Sequence, residues 1–215
     1  MFASILERGV RLTTSSGTAA GPIAQTAIAG MLYLSRKVAG QTLLVYGFGK
    51  IGAEIARLAR LLGLKVIGVR RHPRAHEHAD EMHAPDKLHA LLARSDWLAI
   101  ACPLTAETRG VIDAAALAAL PKGARIINIS RGEVIDEPAL IDALALGHLG
   151  GAYLDVFAQE PLPAVSPLWD MPNVLVTAHD AATSDAYDPR INALFLDNLE
   201  RRQRNAPLIN EVTRL

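Results

Sequence analysis

The chain has 215 residues, of which 50% are hydrophobic and 20% are charged. This composition excludes disordered, collagen-like and low-complexity chains, and the length allows one ordinary domain with a sizeable core, or one domain and a small part of another. Lysine and arginine total 22, as do aspartate and glutamate, so the formal net charge is zero. We therefore expect no nucleic-acid partner, because such a partner requires a basic surface.

Cysteine usage and apolar segments bear on the cellular setting. The single cysteine, Cys102, cannot form a disulfide within the chain, which fits a reducing compartment, and we expect a cytoplasmic location. The first 20 residues lack the basic and continuous apolar regions of a signal peptide. The most apolar stretch, 19–34, is too short to span a bilayer, so it predicts a buried or interface helix and no membrane partner.

Six short apolar runs predict β-strands. They cover residues 42–46, 65–69, 97–101, 125–129, 151–156 and 173–177. Their starts are 22 to 32 residues apart, which leaves room for a crossover helix each time. Runs that are apolar throughout indicate strands covered on both faces. The expected fold class is α/β, a Rossmann-type doubly wound parallel sheet with helices on both faces.

Helical patterns lie between these runs. In chain order, helices are expected over 22–38, 50–62 and 86–94, after Asp113 and Asp136, and over about 189–204. Both aspartates precede apolar helical runs and should cap them, and Gly63 should end the second helix. The polar segment 70–89 indicates a loop with an irregular helix. The expected division is a linker with one apolar helix in 1–40, a dinucleotide-binding domain in 41–184, and a C-terminal helix and tail in 185–215.

A glycine-rich turn follows the first predicted strand. Residues 47–52 read GFGKIG, a GxGxxG pattern between a strand and a helix, which is the context in which it binds a dinucleotide. There Gly47 allows the tight turn, Gly49 lets the backbone approach a pyrophosphate, and Gly52 lets the helix pack close to the sheet. The helix N-terminus offers free N–H groups to the phosphates. The alternative is a glycine-rich turn without a ligand.

The end of the second predicted strand carries arginines. An NAD enzyme usually has a carboxylate there for the ribose hydroxyls, but this chain has Arg70 and Arg71, with Arg74 nearby. Guanidinium groups suit a 2′-phosphate, and no carboxylate is expected beside them to repel one. The pattern therefore favours NADP over NAD. The alternative is a pair of solvated arginines.

Three polar residues follow the carboxyl ends of later strands: Arg131, Glu160 and His179. Open α/β sheets bind ligands at that edge. Arginine can hold a carboxylate with two hydrogen bonds, and histidine can give a proton to a carbonyl oxygen. A carboxylate beside the histidine favours the imidazolium and fixes its orientation. The set fits reduction of a 2-keto acid, although each residue could instead serve an ordinary structural role.

At this point the chain resembles a known family. Over about residues 39–184 it is similar to the NAD(P)-binding domain of the D-isomer-specific 2-hydroxyacid dehydrogenases. The matching motifs are GFGKIG (47–52), ACPLTAETRGVI (101–112), INISRGEVIDEPAL (127–140), GGAYLDVFAQEPLP (150–163), SPLWDMPNVLVTAH (166–179) and PLIN (207–210). Arginine in place of the usual aspartate resembles the NADPH-preferring glyoxylate/hydroxypyruvate reductase branch, with NAD as the alternative cofactor.

The resemblance implies roles for individual residues. The catalytic positions of the family fall on Arg131, Glu160 and His179. The implied cofactor contacts are Gly47, Gly49, Lys50, Ile51, Gly52, Arg70, Arg71, Cys102, Pro103, Ile129, Ser130, Arg131, Asp155 and His179. Among them, Lys50 and Ile51 would offer backbone amides to the pyrophosphate, and Asp155 would bind the nicotinamide carboxamide. Cys102 fits a packed apolar position rather than a nucleophile.

The chain departs from the family pattern in three places. Ala178 replaces the usual proline before the histidine, and Asp180 replaces an apolar residue after it. Asp180 could compete with Glu160 for the imidazole or tune the site for another substrate. Most of the family's N-terminal substrate domain has no counterpart, so we expect a fragment, or a chain with segments missing. Such a chain should bind NADP(H) but reduce glyoxylate or hydroxypyruvate poorly.

Five histidines cluster in the polar segment: His72, His76, His78, His83 and His89. His76 and His78 could chelate a metal together, but their spacing suits a strand rather than a loop, and no cysteine or compact aspartate set completes a ligand sphere. The favoured interpretation is a solvated loop beside the adenosine site, and no metal is expected.

Three functions remain open at this point. The first is an NADP-dependent 2-keto acid reductase that acts on a small-molecule substrate. The second is a non-catalytic dinucleotide-binding interaction module, and the third is a structural dimerisation fragment. Exposed apolar residues on the helix over 22–38 would suit a homodimer.

Overall fold

A computed structural model of the chain describes residues 6–185 and 187–212. Its centre is a seven-stranded sheet in the order β3-β2-β1-β4-β5-β6-β7. The strands are β1 Thr42–Tyr46, β2 Lys65–Val69, β3 Glu81–His83, β4 Trp97–Ile100, β5 Arg125–Asn128, β6 Gly151–Leu154 and β7 Val174–Val176. Every neighbouring pair is parallel. The doubly wound parallel sheet predicted from the sequence is confirmed.

In the part of the chain that the structure describes, α-helices connect and cover the strands. They are α1 Ala20–Leu34, α2 Lys50–Leu61, α3 Leu88–Leu92, α4 Ala114–Ala119, α5 Glu137–Ala145 and α6 Tyr187–Gln203, with 3₁₀ turns at Pro85–Lys87, Gly132–Val134 and Pro167–Trp169. The predicted caps are confirmed: the Asp113 carboxylate accepts from the N–H of Ala116 at 2.8 Å, and that of Asp136 from the N–H of Ala139 at 3.2 Å. Among the described residues, no helix has the length and apolar character needed to cross a membrane.

The strands are buried on both faces because two apolar cores lie on opposite sides of the sheet. Leu44 and Tyr46 of β1 belong to one core, and Leu43 and Val45 of the same strand belong to the other. All four side chains are at most 4% exposed. This two-sided burial is the reason that the strands read as continuous apolar runs.

Helix α1 ends earlier than the apolar pattern predicts. The expected helix reaches residue 38, but Ser35 is already extended, with φ −157° and ψ 137°. The chain leaves the helix so that Val38 can enter the core and Gly40, with φ +83°, can turn into β1. The N–H of Gly40 donates to the carbonyl of Gly63 at 2.8 Å, which joins this turn to the end of α2.

The prediction for the polar segment 70–89 is partly wrong, because it contains the edge strand β3 beside β2. The register pairs Ile67 with Glu81 and Val69 with His83. The N–H of Val66 donates to the Asp80 carboxylate at 2.7 Å, which anchors the entry to the strand. The three residues Glu-Met-His have no apolar run, so tertiary pairing alone makes this strand.

Glu81 supplies a pH-dependent contribution to stability at this edge. Hydrogen bonds from Arg94 and then from His83 lower the pKa of Glu81 from 4.5 to about 2. The stabilisation should therefore be complete above pH 4.5 and disappear as the pH falls through about 2. Because the side chain is 41% exposed, solvent screening reduces this stabilisation. Glu81→Gln should therefore lower the free energy of unfolding at pH 7 by about 0.5–1 kcal/mol. Urea denaturation at several pH values would test this, and a difference that stays constant from pH 7 to pH 3 would contradict it.

Candidate active site

The glycine turn joins β1 to α2 at the carboxyl edge of the sheet. Gly47 has φ +102°, and the N–H groups of Gly47 and Phe48 both donate to the carbonyl of Val69 at 3.0 Å. A Cβ on Gly47 would lie 2.3 Å from the backbone nitrogen of Cys102, and one on Gly52 would lie 2.2 Å from the carbonyl oxygen of Gly47. These two glycines are therefore required by the packing of the turn itself.

Gly49 differs from the other two glycines of the turn. It has a negative φ of −91°, precedes the first residue of α2, and would place a Cβ in open space with no atom within 4 Å. No side chain caps this end of the helix. Gly49, Lys50 and Ile51 line a cleft here, so the first N–H groups of α2 adjoin a space that a pyrophosphate can enter. The turn thus fits a dinucleotide.

Alanine substitutions should separate these two roles of glycine. Gly52→Ala forces a Cβ against the carbonyl of Gly47 and should destabilise the fold by about 1–3 kcal/mol. Gly49→Ala meets no neighbouring atom and should change stability by less than about 1 kcal/mol while weakening dinucleotide binding by about tenfold or more. Thermal denaturation and nucleotide titration of both variants would test this. Unchanged binding by Gly49→Ala would contradict it.

The Lys50 side chain has a role that the sequence did not suggest. Its Nζ donates to the carbonyl of Ser16 at 3.0 Å and to Oδ1 of Asn210 at 2.8 Å. Nδ2 of Asn210 in turn donates to the carbonyls of Thr14 and Ser16 at 3.2 and 2.9 Å. The side chain thus ties two segments from opposite ends of the chain to the start of α2. The backbone N–H of Lys50 stays the predicted contact with the pyrophosphate.

The cleft continues, past the shared lining residues Gly49 and Ala101, into a part that lies beside Arg70 and Arg71. This part has a volume of about 490 Å³, and its walls include Gly47, Gly49, Val69, Arg70, Arg71, His72, Cys102, Pro103 and Glu107. Oε2 of Glu107 lies 3.9 Å from Nη2 of Arg71. The expectation that no carboxylate stands beside these arginines is therefore wrong. Glu107 belongs to the loop after β4, and β1 lies between β4 and β2, so only the folded sheet brings the two residues together.

The histidine-rich segment packs beside this end of the cleft. The His76 ring meets the edge of Phe48, with ring centroids 5.1 Å apart, and His78 lies 5.3 Å from His76. His83 instead contacts Glu81 at 2.8 Å. Over residues 6–185 and 187–212, no group of three or more histidine, cysteine, aspartate or glutamate side chains is arranged to hold a metal ion.

The other end of the cleft collects residues from four strand ends. This part has a volume of about 680 Å³, and its walls include Ile51, Cys102, Pro103, Ile129, Ser130, Arg131, Asp155 and His179. All of these were predicted as cofactor contacts, with Asp155 assigned to the nicotinamide carboxamide, and the structure brings them together. Burial raises the pKa of Cys102 to about 11, so its thiol stays protonated at neutral pH.

Glu160 and His179 form a hydrogen-bonded pair at this end. Oε2 of Glu160 lies 2.8 Å from Nδ1 of His179, and Oε1 accepts from the N–H of Phe157 at 3.1 Å. Burial acts to raise the pKa of Glu160, but the hydrogen bonds from His179 and Phe157 and the charges of His179 and Arg131 outweigh it and lower that pKa. Glu160 is therefore a carboxylate at neutral pH, and Nε2 of His179 is left to face a ligand.

The loop that carries His179 has an unusual backbone, which Asp155 holds in place. His179 has φ +56°, a region that few non-glycine residues occupy. Asp155 is 2% exposed, and its carboxylate accepts from the N–H groups of Asp180 and Ala181 at 3.0 and 3.2 Å and from the Thr177 hydroxyl at 2.5 Å. Asp155 therefore shapes this loop, a function that its position in the motif did not suggest. Nδ1 of His179 contacts Glu160, so Asp180 does not displace Glu160 from the imidazole.

Arg131 is positioned by a buried amide that sequence reasoning missed. Nδ2 of Asn128 donates to the carbonyl of Arg131 at 3.0 Å, and its Oδ1 accepts from the N–H and hydroxyl of Ser130, both at 3.1 Å. Asn128 is fully buried. Arg131 itself donates from Nη1 to the carbonyl of Ser130 at 2.5 Å. The available signal for Asn128 was a polar residue directly after the buried apolar pair Ile126 and Ile127.

Comparison with known proteins places this arrangement in a family. Residues 20–181 match the D-isomer specific 2-hydroxyacid dehydrogenase, NAD binding domain. The chain belongs to this family. The 2-hydroxyacid dehydrogenase resemblance predicted from the motifs is therefore confirmed, as is the assignment of the fold to a dinucleotide-binding domain.

Individual relatives show how far the similarity extends. Glyoxylate/hydroxypyruvate reductase B of Pectobacterium atrosepticum is 40% identical over 162 residues, which cover 74% of this chain and 50% of that protein. The crystal structure of a D-isomer specific 2-hydroxyacid dehydrogenase from Xanthobacter autotrophicus Py2 in complex with NADPH and MES has 35% identity and a TM-score of 0.85, and the similarity covers 94% of this chain and 92% of that one.

A third relative is a crystal structure of an NADPH-dependent glyoxylate/hydroxypyruvate reductase from Sinorhizobium meliloti in complex with NADP and sulfate. It is 32% identical with a TM-score of 0.83, over 95% of this chain and 72% of that one. The present chain spans about half the length of the curated relatives it matches.

Proposed function

We propose that this chain is the cofactor-binding part of an NADP(H)-dependent 2-hydroxyacid dehydrogenase that reduces a small 2-keto acid of the glyoxylate or hydroxypyruvate type. One observation carries the proposal. The Glu160–His179 pair, at 2.8 Å, lies at the end of a cleft that also contains Arg131. A paired imidazole and an arginine are the groups that a 2-keto acid needs, one for its carbonyl and the other for its carboxylate.

Support for NADP(H) comes from the opposite end of the cleft. Arg70 and Arg71 line it and can meet a 2′-phosphate. Two similar structures are of complexes with NADPH or NADP. Gly49, Lys50 and Ile51 would receive the pyrophosphate at the start of α2. When bound, the nicotinamide would supply the hydride.

The residues near His179 have separate roles in the proposed reaction. Arg131 would orient the substrate carboxylate, and His179 would give a proton from Nε2 to the carbonyl oxygen. Glu160 holds Nδ1 and stabilises the imidazolium. Asp155 would accept from the nicotinamide carboxamide with the lone pair of Oδ2 that its contacts to the loop leave free. Cys102, Pro103, Ile129 and Ser130 would pack against the cofactor.

A second candidate function is a dinucleotide-binding module without turnover. The observation that favours it is the exposure of the pair, since His179 is 45% and Glu160 37% exposed. Water would reach the reacting atoms in this state, which weakens electrostatic catalysis. We therefore propose that the chain as given binds NADP(H) and turns over slowly.

One experiment separates the two functions. The nucleotide fluorescence of NADPH is titrated with the chain, glyoxylate or hydroxypyruvate is then added, and the loss of NADPH absorbance is followed. Binding with oxidation supports the reductase, and binding without oxidation supports the module. Absence of binding contradicts both.

The assembly and setting are also part of the proposal. Leu32 and Tyr33 of α1 are 40% and 68% exposed, which suits a homodimer contact. The free, buried Cys102 is compatible with a reducing compartment such as the cytoplasm. We also propose that the chain consists of a linker with one apolar helix (1–40), a cofactor-binding domain (41–184) and a C-terminal helix and tail (185–215).

A further inference from the structure

The wall that faces Arg71 carries a carboxylate that the proposed function does not use. Glu107 lies in the loop after β4 and lines the same part of the cleft as Arg70 and Arg71. Its Oε2 is 3.9 Å from Nη2 of Arg71, and both side chains are largely exposed. A negative and a positive group therefore stand together where the adenosine end of a dinucleotide would lie.

The loop holds the Glu107 carboxylate in this position. The Thr105 hydroxyl donates to Oε2 of Glu107 at 2.6 Å. The Thr108 hydroxyl accepts from the N–H of Thr105 at 2.8 Å and donates to the carbonyl of Pro103 at 2.7 Å. The hydrogen bond from Thr105 is the main reason that the pKa of Glu107 lies below its ordinary value. Glu107 is thus a positioned carboxylate that is ionised at neutral pH.

A carboxylate at this place should affect the binding of NADPH and of NADH in opposite directions. A 2′-phosphate carries between one and two negative charges, so Glu107 repels it and also neutralises part of the charge of Arg71. A ribose 2′-hydroxyl is neutral and can donate to the same carboxylate. We propose that Glu107 is a specificity-determining residue that weakens NADPH binding and supports NADH binding. It therefore reduces the preference for NADPH over NADH that Arg70 and Arg71 produce. This inference rests on the proposed function.

The test compares Glu107→Gln with the unchanged chain in titrations of NADPH and NADH. The matched control is Glu200→Gln on α6. The carboxylate of Glu200 is exposed and also pairs with an arginine, since its Oε2 lies 3.5 Å from Nη2 of Arg204. The ratio of NADPH affinity to NADH affinity should rise about threefold to tenfold in Glu107→Gln and stay unchanged in the control. The rise should shrink at about 0.5 M salt, because ions screen exposed charges.

The outcomes distinguish this inference from the proposed function. If the unchanged chain binds both nucleotides but Glu107→Gln leaves the ratio unaltered, only the role of Glu107 is overturned. A lower ratio also overturns it, since that result would mean that Glu107 serves to orient Arg71 for the phosphate. If the unchanged chain binds neither nucleotide, the proposed function and this inference both fail.

Discussion

Replacing Arg70 and Arg71 together by glutamine should raise the dissociation constant of NADPH by about 30- to 100-fold. Each guanidinium can give charge-assisted hydrogen bonds to the 2′-phosphate, and the two together are worth about 2–3 kcal/mol after allowance for exposure to solvent. The dissociation constant of NADH should change by less than about threefold, because a ribose hydroxyl gains little from these charges. Fluorescence titration of both nucleotides measures the two constants.

Controls make this result specific to the 2′-phosphate. Arg204→Gln removes an exposed guanidinium just after the end of α6 that does not line the cleft, and it should leave both dissociation constants unchanged. Equal weakening of NADPH and NADH by the double substitution would contradict the proposal, because it would mean that Arg70 and Arg71 contact a part shared by both nucleotides. Tighter binding of NADH than NADPH by the unchanged chain would contradict the preference for NADP.

His179→Asn should lower the rate of NADPH oxidation by glyoxylate or hydroxypyruvate by about 1,000-fold while leaving NADPH affinity within about threefold. A positioned general acid contributes about 10²–10⁴ to the rate, and the asparagine amide cannot replace it. Asparagine is the substitution of choice because it tolerates the positive φ of 56° at this position better than most residues. Single-turnover absorbance measurements are suitable, since slow turnover is expected from the exposed site.

A control histidine and a variant of the partner carboxylate complete the test. His89→Asn changes an exposed histidine of α3 and should leave the rate unaltered. Glu160→Gln keeps a hydrogen-bond acceptor near Nδ1 of His179 but removes the charge, so it should cost less than the loss of His179, about 10- to 100-fold. Turnover that survives His179→Asn would show that another group supplies the proton.

The sheet was predictable because burial on both faces leaves a strong signal in the sequence. Strand β1 covers residues 42–46, the bounds predicted for it, and its residues Leu43–Tyr46 point alternately into two cores. The helix starts at Asp113 and Asp136 were also predictable, because capping depends on one side chain and a backbone N–H three residues away. Strand β3 was not predictable, because its three residues form a strand only through pairing with β2.

The candidate site divides in the same way. That Arg131, Glu160 and His179 would lie at one edge of the sheet was predictable from their positions after strands, since the carboxyl ends of parallel strands meet there. The roles of Asn128 and Asp155 could not be found, because both depend on hydrogen bonds to the backbone of irregular loops. A polar side chain in a motif can be directed at a ligand or at its own chain, and sequence position does not distinguish the two.

By itself, the sequence determined the parallel sheet, the glycine turn and the order in which the polar residues reach its carboxyl edge, because these depend on local apolar patterns and on residue type. The tertiary structure alone decided which side chains meet across that edge. Arg71 and Glu107 follow different strands, with β1 between those strands, so their 3.9 Å approach depends on strand order and loop conformation. Contacts of this kind are set by the packing of the whole sheet, for which no short segment of the chain carries a signal.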